Sequence, residues 1–215
     1  MAQIDTIYDY LKSKYSSNEP IFLSDIKIPN IKDVYVRQKF KKLTDDGRLK
    51  RFDTGIYYLP KKSIFRSGST ISVDDVIQKK YLNEGSVCCG YISGILFANK
   101  LGITTQVPSV YEVCTNKATT EYRETQMANL RVIIKKPYVQ INKVNAATLQ
   151  FMDLLKEIID ISEIEGDELK LRLLDYMKKK NIKFDAMKQY LPYYPERIYK
   201  NMYEVGLLNG VSAWR

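Results

Sequence analysis

The 215-residue chain is 45% hydrophobic and 12% aromatic, long enough to bury one large core or two small ones and too apolar for a disordered segment. It carries a net charge of +9 and no histidine, which removes the commonest general base, the His-dependent triads and the commonest zinc ligand. Its three cysteines, Cys88, Cys89 and Cys114, form no CxxC pair and no even-numbered disulfide framework, so reduced thiols are the expected state.

Ile4, Ile7, Tyr8, Leu11 and Tyr15 recur at helical spacing and predict a first helix over 3–15, broken by Ser16-Ser17-Asn18-Glu19-Pro20. A short second helix is expected from Phe22-Leu23-Ser24-Asp25-Ile26, with Pro29-Asn30 as the turn after it. Val36, Phe40 and Leu43 then fall at i, i+4 and i+7, one apolar stripe of a third helix that Gly47 stops. Arg48–Phe52 and Ile56–Leu59 read as strands joined by Asp53-Thr54-Gly55, a three-residue turn with Gly at its end. Three helices and a hairpin predict an N-terminal winged helix-turn-helix over residues 1–62. The small polar run Arg66–Thr70 places a linker at 63–70.

A second domain, of α+β class, is expected over 71–215. Ser72-Val73-Asp74-Asp75 reads as a capping box with Asp in place of Glu, opening a helix through Leu82 with Val73, Val76, Ile77 and Tyr81 inward. Tyr91–Leu101 reads as another helix, closed by Gly102. Val110–Thr115, Thr120–Glu124 and Leu130–Lys135 are β-rich and predict a small antiparallel sheet. The C-terminal part reads as helical, over Ala147–Ile161, Glu168–Lys180, Asp185–Tyr190 and Pro195–Val205.

The positive charge is uneven. Between Lys32 and Lys62 stand ten Lys/Arg against four Asp/Glu, so that stretch alone holds +6. Clustered beside aromatic and amide side chains, such an excess points to a polyanion. The face opposite the apolar stripe carries Val34, Tyr35, Gln38, Lys41 and Lys42, which suit a DNA groove. Phosphate contacts are expected from Lys32, Lys41, Lys42, Arg48, Lys50 and Arg51, because positioning on the backbone needs charge rather than shape. Gln38 is the best base reader, since its amide matches adenine N6 and N7, and Arg37 reads guanine if turned toward the groove. Val34 suits a thymine methyl, and Thr54 at the hairpin tip suits the minor groove or its sugar edge. Double-stranded DNA is the first expected partner.

Gly94-Ile95-Leu96-Phe97-Ala98-Asn99-Lys100-Leu101-Gly102-Ile103-Thr104-Thr105-Gln106-Val107-Pro108 resembles the A-N-x-L-G-L-[ST]-[TD]-Q-x-P signature of AbiEi-like antitoxins of type IV toxin–antitoxin and abortive-infection systems. The order of parts is similar too: a winged helix ending in a G-x-Y wing (here Gly55-Ile56-Tyr57) precedes it and a hairpin follows, over roughly residues 3–137. The resemblance implies a repressor of its own operon, an antitoxin activity in the C-terminal domain, and a neighbouring nucleotidyltransferase-like toxin. Whether that toxin is contacted directly, and the oligomeric state, stay open.

Other features carry competing readings. Gly166-Asp167-Glu168-Leu169-Lys170 holds the D/E-x-K string of some nucleases, but acids at a helix start also favour its dipole. Asp153 to Glu168 holds seven acids and one Lys, against nine Lys/Arg and three acids over 169–200. This asymmetry makes Lys178, Lys179 and Lys180, with the acids, a candidate partner surface. Tyr190, Tyr193, Tyr194, Tyr199 and Tyr203 suit base stacking or, beside Pro192 and Pro195, a packed helical corner. The opening MAQIDTIYDYLK has no apolar signal core and no window approaches the ~20 apolar residues of a membrane span, so a cytoplasmic protein without a membrane partner is expected. No catalytic residue, metal site or cofactor is expected. A stand-alone winged-helix regulator with a ligand-sensing C-terminal domain is the alternative, and a DNA-processing enzyme a more distant one.

Overall fold

Residues 2–61 and 68–208 are described in the computed structural model of the protein, so most of the expected linker lies outside the described residues. The chain divides into two units, Met1–Lys79 and Lys80–Arg215, and is of mixed α+β class.

In the first unit the apolar stripes read from the sequence meet. Helix α1 (Ala2–Lys14) turns Ile7 and Leu11 onto Val36, Phe40 and Leu43 of α2 (Asp33–Asp45), and all five are buried. Burying side chains of this size contributes roughly 1.5–3 kcal/mol each. Strands β1 (Ile21–Phe22), β2 (Lys50–Asp53) and β3 (Ile56–Tyr58) form an antiparallel sheet in the order β1-β3-β2, with Ile21 and Arg51 both opposite Tyr57. Phe40 packs edge-on to Tyr57, centroids 5.0 Å apart, which ties α2 to that sheet.

The expected second helix is a correction. Ile21 and Phe22 are paired in β1, and only Leu23–Asp25 coil, as one 3-10 turn. A β-branched and an aromatic residue fit the open edge of β3, and Pro29 disfavours helical backbone just before it, so little length remains for a helix. The capping box is present: Ser72 Oγ accepts from the Asp75 N–H at 3.1 Å, and the Ser72 N–H donates to Asp75 Oδ2 at 2.8 Å. It opens α3 (Val73–Ile77), which runs into a π-helical turn at Gln78–Leu82 and groups with the first unit as far as Lys79.

The second unit opens with a two-stranded antiparallel ribbon, β4 (Asn83–Glu84) and β5 (Val87–Cys88). Then come β6 (Gly90–Ser93), α4 (Gly94–Lys100), β7 (Val110–Thr115), β8 (Tyr122–Met127) and β9 (Leu130–Lys135). The larger sheet has the order β6-β7-β9-β8 and is mixed: β6/β7 and β8/β9 are antiparallel, whereas β7/β9 is parallel. Tyr91–Ser93 were expected to be helical and are strand. Every residue of β6 is buried, so the run lacks the alternation that marks a strand with one wet face.

Helix α5 (Ala146–Ile161) runs through the core of this unit, with Phe151, Met152, Asp153, Leu154 and Leu155 all buried, and packs on β6, α4, α7 (Phe184–Lys188) and α8 (Arg197–Glu204). Between them lie α6 (Gly166–Lys180), which ends on left-handed Asn181, and a 3-10 turn at Leu191–Tyr193. Among the described residues no helix is long and apolar enough to cross a membrane.

Candidate nucleic-acid interface

Helix α2 buries one face, and that fixes what the other presents. Val34, Gln38 and Lys41 fall at i, i+4 and i+7 on the side opposite Val36, Phe40 and Leu43, and all three are exposed, Val34 to 65%. Asp45 extends the same line at i+11 and places a carboxylate at the end of an otherwise neutral-to-basic stripe. Lys42 flanks the line on one side, near half-buried Tyr35, whose ring carries the Lys39 ammonium at 4.6 Å. Lys32 stands at the N-cap position, exposed and without a side-chain capping bond. Arg37 flanks the line on the other side and faces the β2–β3 hairpin.

The hairpin tip is held by its own polar groups. Gly55 takes φ +74°, and the register slips between Arg51 and Asp53, leaving a bulge at Phe52. The Thr54 N–H donates to Asp53 Oδ1 at 2.6 Å, and the Leu23 N–H donates to the Gly55 carbonyl at 2.9 Å. Between the 3-10 turn, α2 and the hairpin lies a groove of about 610 Å³. Arg37, Arg51, Thr54 and Lys27 line it, with Asp33, which ion-pairs with Lys27 at 3.0 Å. An exposed pair of this kind is weak and exchanges readily for a phosphate.

Two nominated cations are engaged elsewhere. Arg48 ion-pairs with Asp46 at 3.3 Å and stacks over the Tyr8 ring at 5.1 Å, against α1. Lys50 Nζ reaches the Ser69 carbonyl at 3.5 Å and is half-buried. Their place in a strand-like basic run did not reveal this, because the partners come from elsewhere in the unit. Lys27, outside the expected set, also lines the groove.

In the second unit Lys178, Lys179 and Lys180 are exposed in the last turn of α6, where they complement the helix dipole, and Lys179 pairs with Asp175 at 2.7 Å. The acids do not form the matching surface. Asp153 is buried, Glu163 accepts from the Thr105 N–H at 2.6 Å, and Asp160 pairs with Arg197. Asp167 and Glu168 sit exposed in the first turn of α6. Among the described residues no group of three or more His, Cys, Asp or Glu is arranged to hold a metal ion. Tyr194 is buried, but Tyr193, Tyr199 and Tyr203 are exposed at 61%, 45% and 65%, so the tyrosine-rich corner is only partly packed. Burial pushes the Cys89 thiol up and the Cys114 thiol up to about 12, which leaves both poorly nucleophilic.

In the signature segment, Asn99 Nδ2 donates to the carbonyls of Thr104 at 3.3 Å and Gln106 at 3.0 Å, fastening the loop that Gly102, at φ +68°, turns away from α4. No local pattern marks a half-buried relay of charges that ends on buried Asp153. Glu112, Lys135, Glu157, Lys156 and Asp153 alternate in sign. Glu112 bonds Lys135, Lys135 lies 3.8 Å from Glu157, Glu157 3.4 Å from Lys156, and Lys156 3.6 Å from Asp153. Tyr91 donates to Asp153 Oδ2 at 2.8 Å, while Asp153 Oδ1 has no hydrogen-bond partner among the described residues. Burial raises the Asp153 pKa above the usual carboxylate range against the opposing pull of Lys156 and the Tyr91 hydroxyl. Each carboxylate faces a lysine, three carboxylates sharing two ammonium groups, and Tyr91 adds a hydrogen bond to Asp153, so the relay has the make-up of a structural network. Compared with known proteins, the chain matches no protein-family model and no curated protein.

Proposed function

We propose that the first unit is a winged helix that binds double-stranded DNA, with α2 as recognition helix and the β2–β3 hairpin as wing. The observation that carries this reading is the exposed line of Val34, Gln38 and Lys41 on a helix fixed to its sheet, beside a groove lined by Arg37 and Arg51. The sheet order β1-β3-β2 supports it, with the 3-10 turn at Leu23–Asp25 in the place of the second helix. In this reading Lys32, Lys41, Lys42 and Arg51 hold phosphates, and Gln38, Val34 and Arg37 read base edges. On the resemblance of residues 94–108 to AbiEi-like antitoxins, the protein represses its own operon and opposes a nucleotidyltransferase-like toxin encoded beside it, without catalysing a reaction.

Fluorescence anisotropy with the duplex upstream of its own gene tests the first half. Affinity at least about 10³ tighter than for a scrambled duplex at physiological salt is expected. Equal affinity for both would remove the repressor. Co-expression with the neighbouring gene, scored for growth, tests the second half: rescue supports an antitoxin, and growth arrest that this protein leaves unrelieved overturns it.

A further inference from the structure

Helices α6, α7 and α8 leave an apolar groove of about 710 Å³ between them. Leu171, Leu174, Met177 and Phe184 line it, with buried Met187 and Met202 beneath. Leu171 is 66% exposed and continuous with the apolar lining of the groove, so it extends an apolar patch rather than standing alone. Methionine is unbranched and polarizable, and surfaces built from it adapt to apolar side chains of varied shape.

The charge at the rim is net positive. Asp175 and Asp185 line the groove, and each is matched by a lysine, Asp175 by Lys179 at 2.7 Å and Asp185 by Lys188 at 3.2 Å. Lys178 and Lys183 line it as well, and among the described residues neither has an ion-pair partner. The groove is therefore apolar along its length and positive at its edge. We infer that it receives an amphipathic helix of a partner protein, one whose apolar face is bordered by Asp or Glu. Apolar anchors at i, i+4 and i+7 pack on Leu171, Leu174, Met177 and Phe184, and the bordering carboxylates meet Lys178 and Lys183. This site shares no residue with the DNA face and stands or falls apart from it.

The test uses the full chain and two fluorescein-labelled helical peptides with the same leucine face, one bordered by Glu and the other by Lys. The Glu peptide is expected to bind saturably and at least about tenfold tighter than the Lys peptide. Lys178→Glu with Lys183→Glu should reverse that order, and Leu171→Asp should weaken both peptides, with a cooperative melt retained in each variant since all three side chains are exposed. Equal binding, a preference for the Lys peptide, or no binding of either overturns the inference. So does light scattering that finds a dimer abolished by Leu171→Asp, which assigns the groove to a second copy. Saturable binding of dodecanoate with neither peptide competing assigns it to a small amphiphile, and likewise overturns the inference.

Discussion

Arg51 donates from Nη2 to the Thr54 hydroxyl oxygen at 3.0 Å, and from Nε to the Asp53 carbonyl at 3.2 Å. The guanidinium is thus closed over the turn of its own hairpin, its charge held in place before any ligand arrives. A long side chain fixed in this way loses less rotamer freedom on binding than a free one.

Thr54→Val keeps the shape of residue 54 and removes the acceptor. It is expected to weaken DNA binding by releasing Arg51, and Arg51→Ala to weaken it further and lower the salt slope by about one unit. The double variant should bind no worse than Arg51→Ala alone, because the two residues act as one element. Additive losses by anisotropy titration would separate them.

Lys41 and Lys42 are exposed on α2, whereas Lys50 is turned to Ser69. Lys41→Ala with Lys42→Ala should weaken binding to every duplex and reduce the slope of log K against log salt by about two. Lys50→Ala should leave that slope unchanged. Gln38→Ala should instead relax preference at one or two base pairs, costing roughly 1–3 kcal/mol there. Competition with a panel of single-base substitutions separates these outcomes.

Local signals were legible where one face is wet. The stripe of Val36, Phe40 and Leu43 shows its period because the residues between are polar, and Ser72 with Asp75 is a cap written within four residues. The exposed residues of α2 follow from that stripe by subtraction. What was hidden depends on distant partners. β6 is buried throughout and shows no period, and β7 pairs with β9 rather than with β8, its neighbour in sequence. Arg48 and Lys50 are alike in sequence to Lys41 and Lys42, yet tertiary contacts with Tyr8 and Ser69 engage them. The buried Asp153 looked like one acid in a solvated run, because nothing local marks a carboxylate that Tyr91 covers from 62 residues away.

Gly90 packs where no side chain fits. A Cβ there would stand 2.5 Å from the Tyr81 carbonyl oxygen and 2.8 Å from that of Cys114, and neither backbone atom can swing aside. Gly90→Ala is therefore expected to destabilise the second unit by about 1–3 kcal/mol, through displacement of β6 from β7. Urea unfolding should shift to a lower midpoint with an unchanged slope. An unaltered midpoint would mean that the ribbon and sheet move apart freely.

Asp153 gives the protein a pH dependence whose sign follows from burial. Its pKa is raised in the folded state, with desolvation the largest cause and Lys156 and the Tyr91 hydroxyl opposing it. A raised carboxylate favours the fold most below its unfolded value, near 3.9, and that contribution is lost as pH rises through the folded pKa. At neutral pH the ionised group is a net cost, because the desolvation of the buried carboxylate outweighs the pull of Lys156 and the Tyr91 hydroxyl. Asp153→Asn keeps an oxygen to accept from Tyr91 and removes that charge. The variant should melt a few degrees higher at pH 7, and the gap should close as pH falls through the raised folded-state pKa, where wild-type Asp153 takes up its proton. Lys156 is raised as well, with Asp153 and Glu157 outweighing desolvation together, so its share of stability is lost only as pH climbs past the ordinary lysine value. Thermal melts of both proteins from pH 4 to 8 decide the matter. A wild type that melts above the Asn variant across that range would reverse the assigned sign and make the buried charge a net stabiliser.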